Sequence, residues 1–551
     1  MVKVATLIGG AGTGKTTELL SVMESAKSAL GGSPFALGFC SFTRAARREA
    51  VERASASWGI PEGVLAKDGW FRTAHSICHR QLGIEKGQII GDSKEDRLWL
   101  AKALQVHISV VADEDTGMLG YSSSRRDEPA VVALNCWELS RARIEKPRDT
   151  LLRMSRGGAM VPAFGVVKQF IDRYEAAKRL EGRYDFTDLL ARFAGLQFSP
   201  EGFCAVDPEG YCPVGVKAWI FDEAQDASAL VDRVCRRLAD GPEVLWVYVA
   251  GDPFQSIFGF GGSDSAHFLN WNADKKRIMP KSWRCPQPIL DLGEKCLKRM
   301  RKGYWDRGIA AADHDGAITR TPSMTTTLKK LDPSVPTLII ARCNFTLDGW
   351  GKSMRLEGIP YTHLKAKDAT KTTMAARTYW ELEHGEAVSG DDFANAISQT
   401  PARDKDGALM KRGVKAAWGR DELPRQFDAV FQSSLADTGV TELFISKIVQ
   451  GKWAEWIDNG ARWRKAAEKY GVDLATRPHI RLGTIHSSKG MEGDVVVLDT
   501  TTSKRIEGSQ LEDPEVHDEE RRVEYVGVTR ARKSLVICDD MENEFRMNIP
   551  L

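Results

Sequence analysis

One octapeptide near the start of the chain constrains the fold more than any other feature. Gly9-Gly10-Ala11-Gly12-Thr13-Gly14-Lys15-Thr16 satisfies G-x-x-x-x-G-K-[ST] at every position. It follows the apolar run Val2–Ile8 and precedes Thr16–Leu30, where Leu19, Val22, Met23, Ala26 and Leu30 share one helical face. A strand, a glycine turn and a helix in that order aim backbone N–H groups at phosphate oxygens, at the positive end of the helix. The chain is therefore expected to bind a nucleoside triphosphate through residues 9–17, namely Gly9, Gly10, Ala11, Gly12, Thr13, Gly14, Lys15, Thr16 and Thr17. In that loop Lys15 would reach the β- and γ-phosphates, and the Thr16 hydroxyl would ligate Mg²⁺.

A second apolar run, Ala218–Phe221, ends in Asp222-Glu223-Ala224-Gln225-Asp226. Neighbouring side chains at a strand end point in different directions. Asp222 can thus hold the metal while Glu223 polarises a water as candidate base. An acidic pair by itself is more often a solvated turn. The buried run before it and the P-loop upstream favour the catalytic reading.

Further short runs at Phe35–Phe42, Val244–Ala250, Thr337–Ala341, His479–Ile485, Asp494–Asp499 and Ser534–Cys538 read as buried parallel strands. They fall into two α/β cores, each interrupted by a mainly helical segment rich in Arg, Lys and Trp. The expected division is 1–90 with 212–280 for the first core and 91–211 for its insert. The second core takes 281–375 with 476–551, and its insert 376–475. Tryptophans 418, 453, 456 and 463 of the second insert read as helix-packing residues, and the acidic stretch Glu512–Glu520 as a solvated loop.

Composition narrows the function classes. The 551 residues suit three or four units. With 77 Lys and Arg against 75 Asp and Glu, the net charge of +2 excludes a polybasic coat protein and an acidic tail protein. It leaves room for a locally basic groove. No stretch approaches the ~18 apolar residues of a membrane span, and the N-terminal run reads as a core strand rather than a signal peptide. The 10 cysteines form no CxxC pair, which argues against a zinc or iron–sulfur site and suits a reducing cytoplasm.

From residue 9 to residue 532 the motifs follow one order, and together they resemble a superfamily 1 helicase of the UvrD/Rep/PcrA type. Ser41-Phe42-Thr43-Arg44-Ala45-Ala46 resembles motif Ia, Thr73-Ala74-His75-Ser76 motif Ib, and Tyr184–Leu190 the "DFxDLL" element. Asp222–Asp226 is similar to motif II, Gly251–Phe258 to motif III, Ser282-Trp283-Arg284 to motif IV, Thr484–Glu492 to motif V and Tyr525–Arg532 to motif VI. The resemblance implies two RecA-like P-loop NTPase domains, 1A and 2A, with inserts 1B and 2B.

It also implies roles. Arg284 and Arg530 come from the second core to the γ-phosphate, and Gln255 senses it or orients the water. Trp283 replaces the tyrosine that stacks on adenine, and Glu492 contacts the ribose. Phe42, Arg44, His75, Phe258, Phe260, Arg342, Asn344, His486 and Lys489 line the path of single-stranded DNA, where aromatic stacking and cations grip the strand. The bland alternatives are ion pairing for the arginines and core packing for the phenylalanines. ATP bridging two cores would close and open a cleft.

The sequence also departs from the family. The glutamine motif that reads adenine is not expected in the eight residues before Gly9. Gly261 stands where arginine is common, and Arg44-Ala45 replaces Asn-Lys. The second insert is short, and a C-terminal nuclease domain is not expected. The function implied is an ATP- and Mg²⁺-dependent DNA helicase moving 3′→5′ on single strands and at single-strand/duplex junctions, in repair or replication, with loading or repair proteins as partners. A translocase that strips proteins without unwinding is the second reading. A nucleotide-gated DNA-binding scaffold is the third, against which the full hydrolytic set argues, and a simple P-loop kinase would not need the later motifs.

Overall fold

The computed structural model describes residues 2–42, 44–112, 119–123, 128–156, 159–364, 366, 370–419, 427–541 and 543–550, without the side chains of Arg44, Ala45, Val111 and Ala112. It divides into two compact units, residues 1–316 with 503–529 and 549–551, and residues 317–502 with 530–548.

In the first unit six strands form one sheet: β1 (Lys3–Ile8), β2 (Leu37–Ser41), β3 (Trp70–Thr73), β4 (Ala218–Asp222), β5 (Trp246–Gly251) and β6 (Lys275–Ile278). Their order is β6-β1-β5-β4-β2-β3, parallel throughout. β2 and β4 are buried at every position, and so they read in the sequence as unbroken apolar runs. Period-2 alternation still sorts their side chains. Trp219 and Phe221 pack with Ile77, Leu190 and Val234 on one face, while Ala218 and Ile220 pack with Leu19, Phe39 and Phe71 on the other. The edges β3 and β6 do not stand out as runs, and β6 is exposed along its length.

The helices that matter here are α1 (Lys15–Ala29), α2 (Arg44–Trp58), α3 (Ala74–Leu82), α4 (Pro129–Arg143), α5 (Phe164–Glu181), α6 (Phe186–Ala194) and α7 (Pro514–Val528). α1 buries Leu19, Met23 and Ala26 of its expected face. Between β3 and β4 the chain is mainly helical, with two short antiparallel strand pairs, Ser109–Ala112 with Leu119–Ser122 and Leu196–Ser199 with Gly202–Ala205.

A buried ion network joins α4, α5 and α6. Asp185 accepts from Arg141 Nη2 and Lys178 Nζ, each at 2.9 Å, and from the Tyr174 hydroxyl at 3.1 Å. It also caps α6 by accepting the Asp188 N–H at 2.8 Å. The two aspartates of the Tyr184–Leu190 element are thus a helix cap and a charge network.

The expectation for the acidic stretch is overturned. Glu512–Glu520 is not a solvated loop: Glu512 ends a helix begun at Lys504, and residues 514–520 start α7. Asp513 accepts the Glu515 N–H at 2.8 Å as N-cap, and Pro514 takes the first helical position. Acidic residues in a first turn also favour a helix through its dipole. Asp518 and Glu520 are buried, and Asp518 accepts the backbone N–H groups of Arg301 and Lys302.

The second unit holds β7 (Ala317–Thr321), β8 (Thr337–Ala341), β9 (Thr362–His363), β10 (Ile480–Thr484), β11 (Gly493–Asp499) and β12 (Ala531–Cys538). They run parallel in the order β7-β12-β11-β8-β10-β9. Residues 375–475 add a core in which Trp418, Trp453, Trp456 and Trp463 are buried with Tyr379 and Phe444. The ten cysteines are mostly buried. Among the described residues no helix is long and apolar enough to cross a membrane.

Candidate functional site

The P-loop leaves β1 at Gly9, whose N–H donates to the Gly251 carbonyl of β5 at 3.0 Å. Gly12 and Gly14 take φ of +66° and +80°, a left-handed backbone that glycine adopts without strain. Lys15 Nζ donates to the Gly9 carbonyl at 3.2 Å, so the ammonium lies over the loop. Thr16 and Thr17 open α1 behind it.

Motif IV docks on this loop within the first unit. The Ser282 hydroxyl donates to the Ala11 carbonyl at 2.8 Å, and the Trp283 N–H to the Gly12 carbonyl at 2.8 Å. Residues 281–316 and 503–529, both grouped with the second core on sequence, belong to the first unit. Trp283 is 65% exposed and its indole lies beside Gly14, an open aromatic face next to the phosphate loop. Arg284 sits against Gly12, and its Nη1 approaches the Thr529 carbonyl at 3.5 Å.

The carboxylates stand at the end of β4. Asp222 is buried, and burial followed by the neighbouring Glu223 charge pushes its carboxyl up to about 7, with Lys15 pulling the other way. Glu223 has φ +57°, a strained left-handed conformation for a side-chain-bearing residue. Its Oε2 accepts Gln225 Nε2 at 2.6 Å. Gln225 Oε1 accepts the Asp252 N–H at 2.9 Å, and Asp252 Oδ2 accepts Gln255 Nε2 at 2.8 Å. A chain of hydrogen bonds therefore links the candidate base to the candidate γ-phosphate sensor.

A hydroxyl and a carboxylate are the hard oxygen donors that Mg²⁺ takes. A buried Asp222 that resists ionisation beside Glu223 is the group a cation would relieve. The residues present fit the metal.

On the other side of motif III, Phe42, His75 and Phe258 line one cavity of about 460 Å³, together with Phe186, His79 and Ser263. Thr73 caps α3 by accepting the Ser76 N–H, which sets His75 in the first turn. Among the described residues His79 Nε2 and Ser263 Oγ are buried there with no hydrogen-bond partner. Aromatic walls with unmet polar atoms suit a flat, heteroatom-bearing ring. Phe260 is 64% exposed, edge-on to Phe258 at 5.9 Å. Arg44 begins α2, with its side chain outside the described residues.

The remaining candidates lie in the second unit. Arg342 and Asn344 follow β8, and His486 and Lys489 follow the adjacent β10, so all four gather at one carboxyl edge of that sheet. Arg530 is buried and donates to the Met491 carbonyl at 3.1 Å. Glu492 accepts from Arg532 at 3.3 Å.

Sequence reading assigned no role to Gln225, Tyr525 or Arg307. The first two lie inside motifs II and VI, so a stricter question about buried polar residues in those motifs could have raised them. Arg307 lies in no motif. Yet its side chain is 1% exposed, and it pairs with Asp252 Oδ1 at 2.7 Å and Glu294 Oε1 at 2.6 Å.

Residues 2–276 match the UvrD/REP helicase N-terminal domain, and residues 465–540 the UvrD-like helicase C-terminal domain. The chain is 22% identical over 575 residues to the ATP-dependent DNA helicase UvrD2 of Mycobacterium bovis and of Mycobacterium tuberculosis, covering 96% of this chain and 76% of each relative. It is 25% identical over 308 residues to the ATP-dependent DNA helicase PcrA of Leuconostoc citreum, covering 54% of this chain and 38% of that protein. Two matching domains, one at each end of the motif series, with the strand–P-loop–helix inside the first, establish that the chain belongs to the UvrD/PcrA type of superfamily 1 helicases.

Proposed function

We propose that this ATP-hydrolysing DNA helicase moves 3′→5′ along single-stranded DNA and separates duplex as it goes. One observation carries the motor reading. The segment 251–263 has Asp252 and Gln255 on the hydrogen-bond chain from Glu223, and Phe258 and Ser263 on the aromatic cavity. A shift of that short segment on nucleotide binding would be felt by a strand held in the cavity.

In this reading Lys15 holds the β- and γ-phosphates and Trp283 stacks on the base. Glu223 takes the proton of the attacking water, positioned with Gln255. Thr16 and Asp222 would hold Mg²⁺, which would offset the charge developing on the phosphates. Arg284 and Arg530 supply the cations of the transition state, and Glu492 the ribose contact. The strand is gripped by Phe42, Arg44, His75, Phe258 and Phe260, and by Arg342, Asn344, His486 and Lys489. Polarity, the DNA contacts and partners in repair or replication rest on the likeness to the family.

The test is steady-state ATPase activity with and without single-stranded DNA, followed by strand displacement on duplexes with 3′ or 5′ tails. We expect stimulation by single strands, abolished in Lys15→Ala, and displacement from the 3′ tail only. Displacement from the 5′ tail would refute the polarity. Stimulation without displacement would leave a translocase, the reading that the short 376–475 segment favours. Activity indifferent to DNA would refute the motor.

A further inference from the structure

We propose that Arg307 is a positioning residue that ties the P-loop to the segment 251–263, so that the nucleotide site and the DNA-side cavity respond to one another. The proposal rests on the motor reading above.

The tie runs through direct contacts in the first unit. Arg307 Nη1 meets Asp252 Oδ1 at 2.7 Å, while Nη2 meets Glu294 Oε1 at 2.6 Å and the Tyr525 hydroxyl oxygen at 3.2 Å. That same hydroxyl accepts the P-loop N–H of Ala11 at 3.1 Å. The guanidinium lies over the Phe254 ring at 4.6 Å and the Tyr525 ring at 5.2 Å. A Cβ placed on Gly10 would come within 2.6 Å of Ile309 and 3.3 Å of Arg307 Nη1, so the phosphate loop rests on this segment.

Asp252 is the relay. Its Oδ1 takes Arg307 and the Phe254 N–H, and its Oδ2 takes Gln255 Nε2. Fixing that carboxylate fixes the sensor Gln255 and the turn that leads, three residues on, to Phe258. Three acceptors from three elements at set angles call for a planar fork of donors. An ammonium is a point charge and meets them one at a time. A structural ion pair would need only one of these contacts. Here one cation joins motif III, the helix 287–297 and, through Tyr525, the phosphate loop.

The experiment compares wild type, Arg307→Lys and Tyr525→Phe in ATPase titrations with and without oligothymidylate, alongside thermal melting. Lysine keeps a charge beside Asp252, and phenylalanine keeps the ring but removes the oxygen between Arg307 and Ala11. We expect kcat at saturating DNA to fall at least about tenfold while KM for ATP moves less than about threefold. We also expect the effect of DNA on nucleotide affinity, and its reciprocal, to shrink together. Variants that melt lower but keep DNA-stimulated kcat within about twofold of wild type would make Arg307 a stability element only and overturn the proposal. If Arg307→Lys does not fold, Tyr525→Phe decides by the same criterion. A wild type indifferent to DNA would overturn the motor reading and this proposal with it, whereas a stimulated wild type with unaltered variants overturns the proposal alone.

Discussion

Glu223 is the residue where local cost and proposed function meet most clearly. A left-handed backbone at a non-glycine residue costs roughly 1–2 kcal/mol, and nothing in the side chain's chemistry favours it. In this conformation Asp222 Oδ1 accepts the Glu223 N–H at 2.9 Å while Glu223 Oε2 accepts from Gln225 Nε2. Two carboxylates adjacent in sequence are thereby held in separate places, one at the strand end and one on Gln225. Glu223→Gln should retain nucleotide binding and lose about 10²–10⁴ in kcat, the typical share of a general base. Rapid hydrolysis in that variant, read by phosphate release, would place the base elsewhere. At this scale the sequence was most legible: a P-loop and a carboxylate pair name their own chemistry. Arg307 was not, because an arginine's role depends on what surrounds it.

At the scale of elements, charge misled where burial was invisible. Glu512–Glu520 looked solvated because it is acidic, but α7 uses those acids. Asp518 caps backbone N–H groups at 301–302, and Glu519 Oε1 accepts the Gly259 N–H at 2.8 Å. The network around Asp185 makes the same point. Burial raises that carboxyl, but Arg141 and Lys178 outweigh it and hold it well below the usual carboxylate range. Its contribution to stability is therefore present above the unfolded value of about 3.9 and is lost as pH falls below it. Asp185→Asn should cost about 3–5 kcal/mol at neutral pH, since it leaves buried cations short of a partner. In melts the gap to wild type should narrow as pH drops below about 4. A gap that stays constant would mean the carboxylate is not held ionised.

At the scale of the whole molecule, hydrolysis is expected to draw on residues far apart in the chain. Arg530 is buried immediately before β12, where a guanidinium must be held by partners to offset lost hydration. Arg530→Ala should lower kcat about 10³-fold or more if it acts as the transition-state cation. ATP binding, followed by a fluorescent analogue, should change far less. Equal losses in both would indicate a structural arginine. The eight apolar runs each lie in or across a strand of the two sheets, and the helical inserts were legible from their period. The edge strands β3 and β6 were not, since an edge need not be apolar on both faces.

The sequence by itself determined the two parallel cores, the phosphate loop and the family, because a buried parallel strand must be continuously apolar and a phosphate loop must be rich in glycine. Only the tertiary structure decided that Ser282-Trp283-Arg284 packs on that loop, that the acidic run is a helix, and that Arg307 joins Asp252, Glu294 and Tyr525. Those outcomes depend on hydrogen bonds and charge pairs between residues far apart in the chain, 271 positions for Ser282 and Ala11. No local pattern encodes such pairings, because the energy that selects them exists only once burial has removed water from both partners.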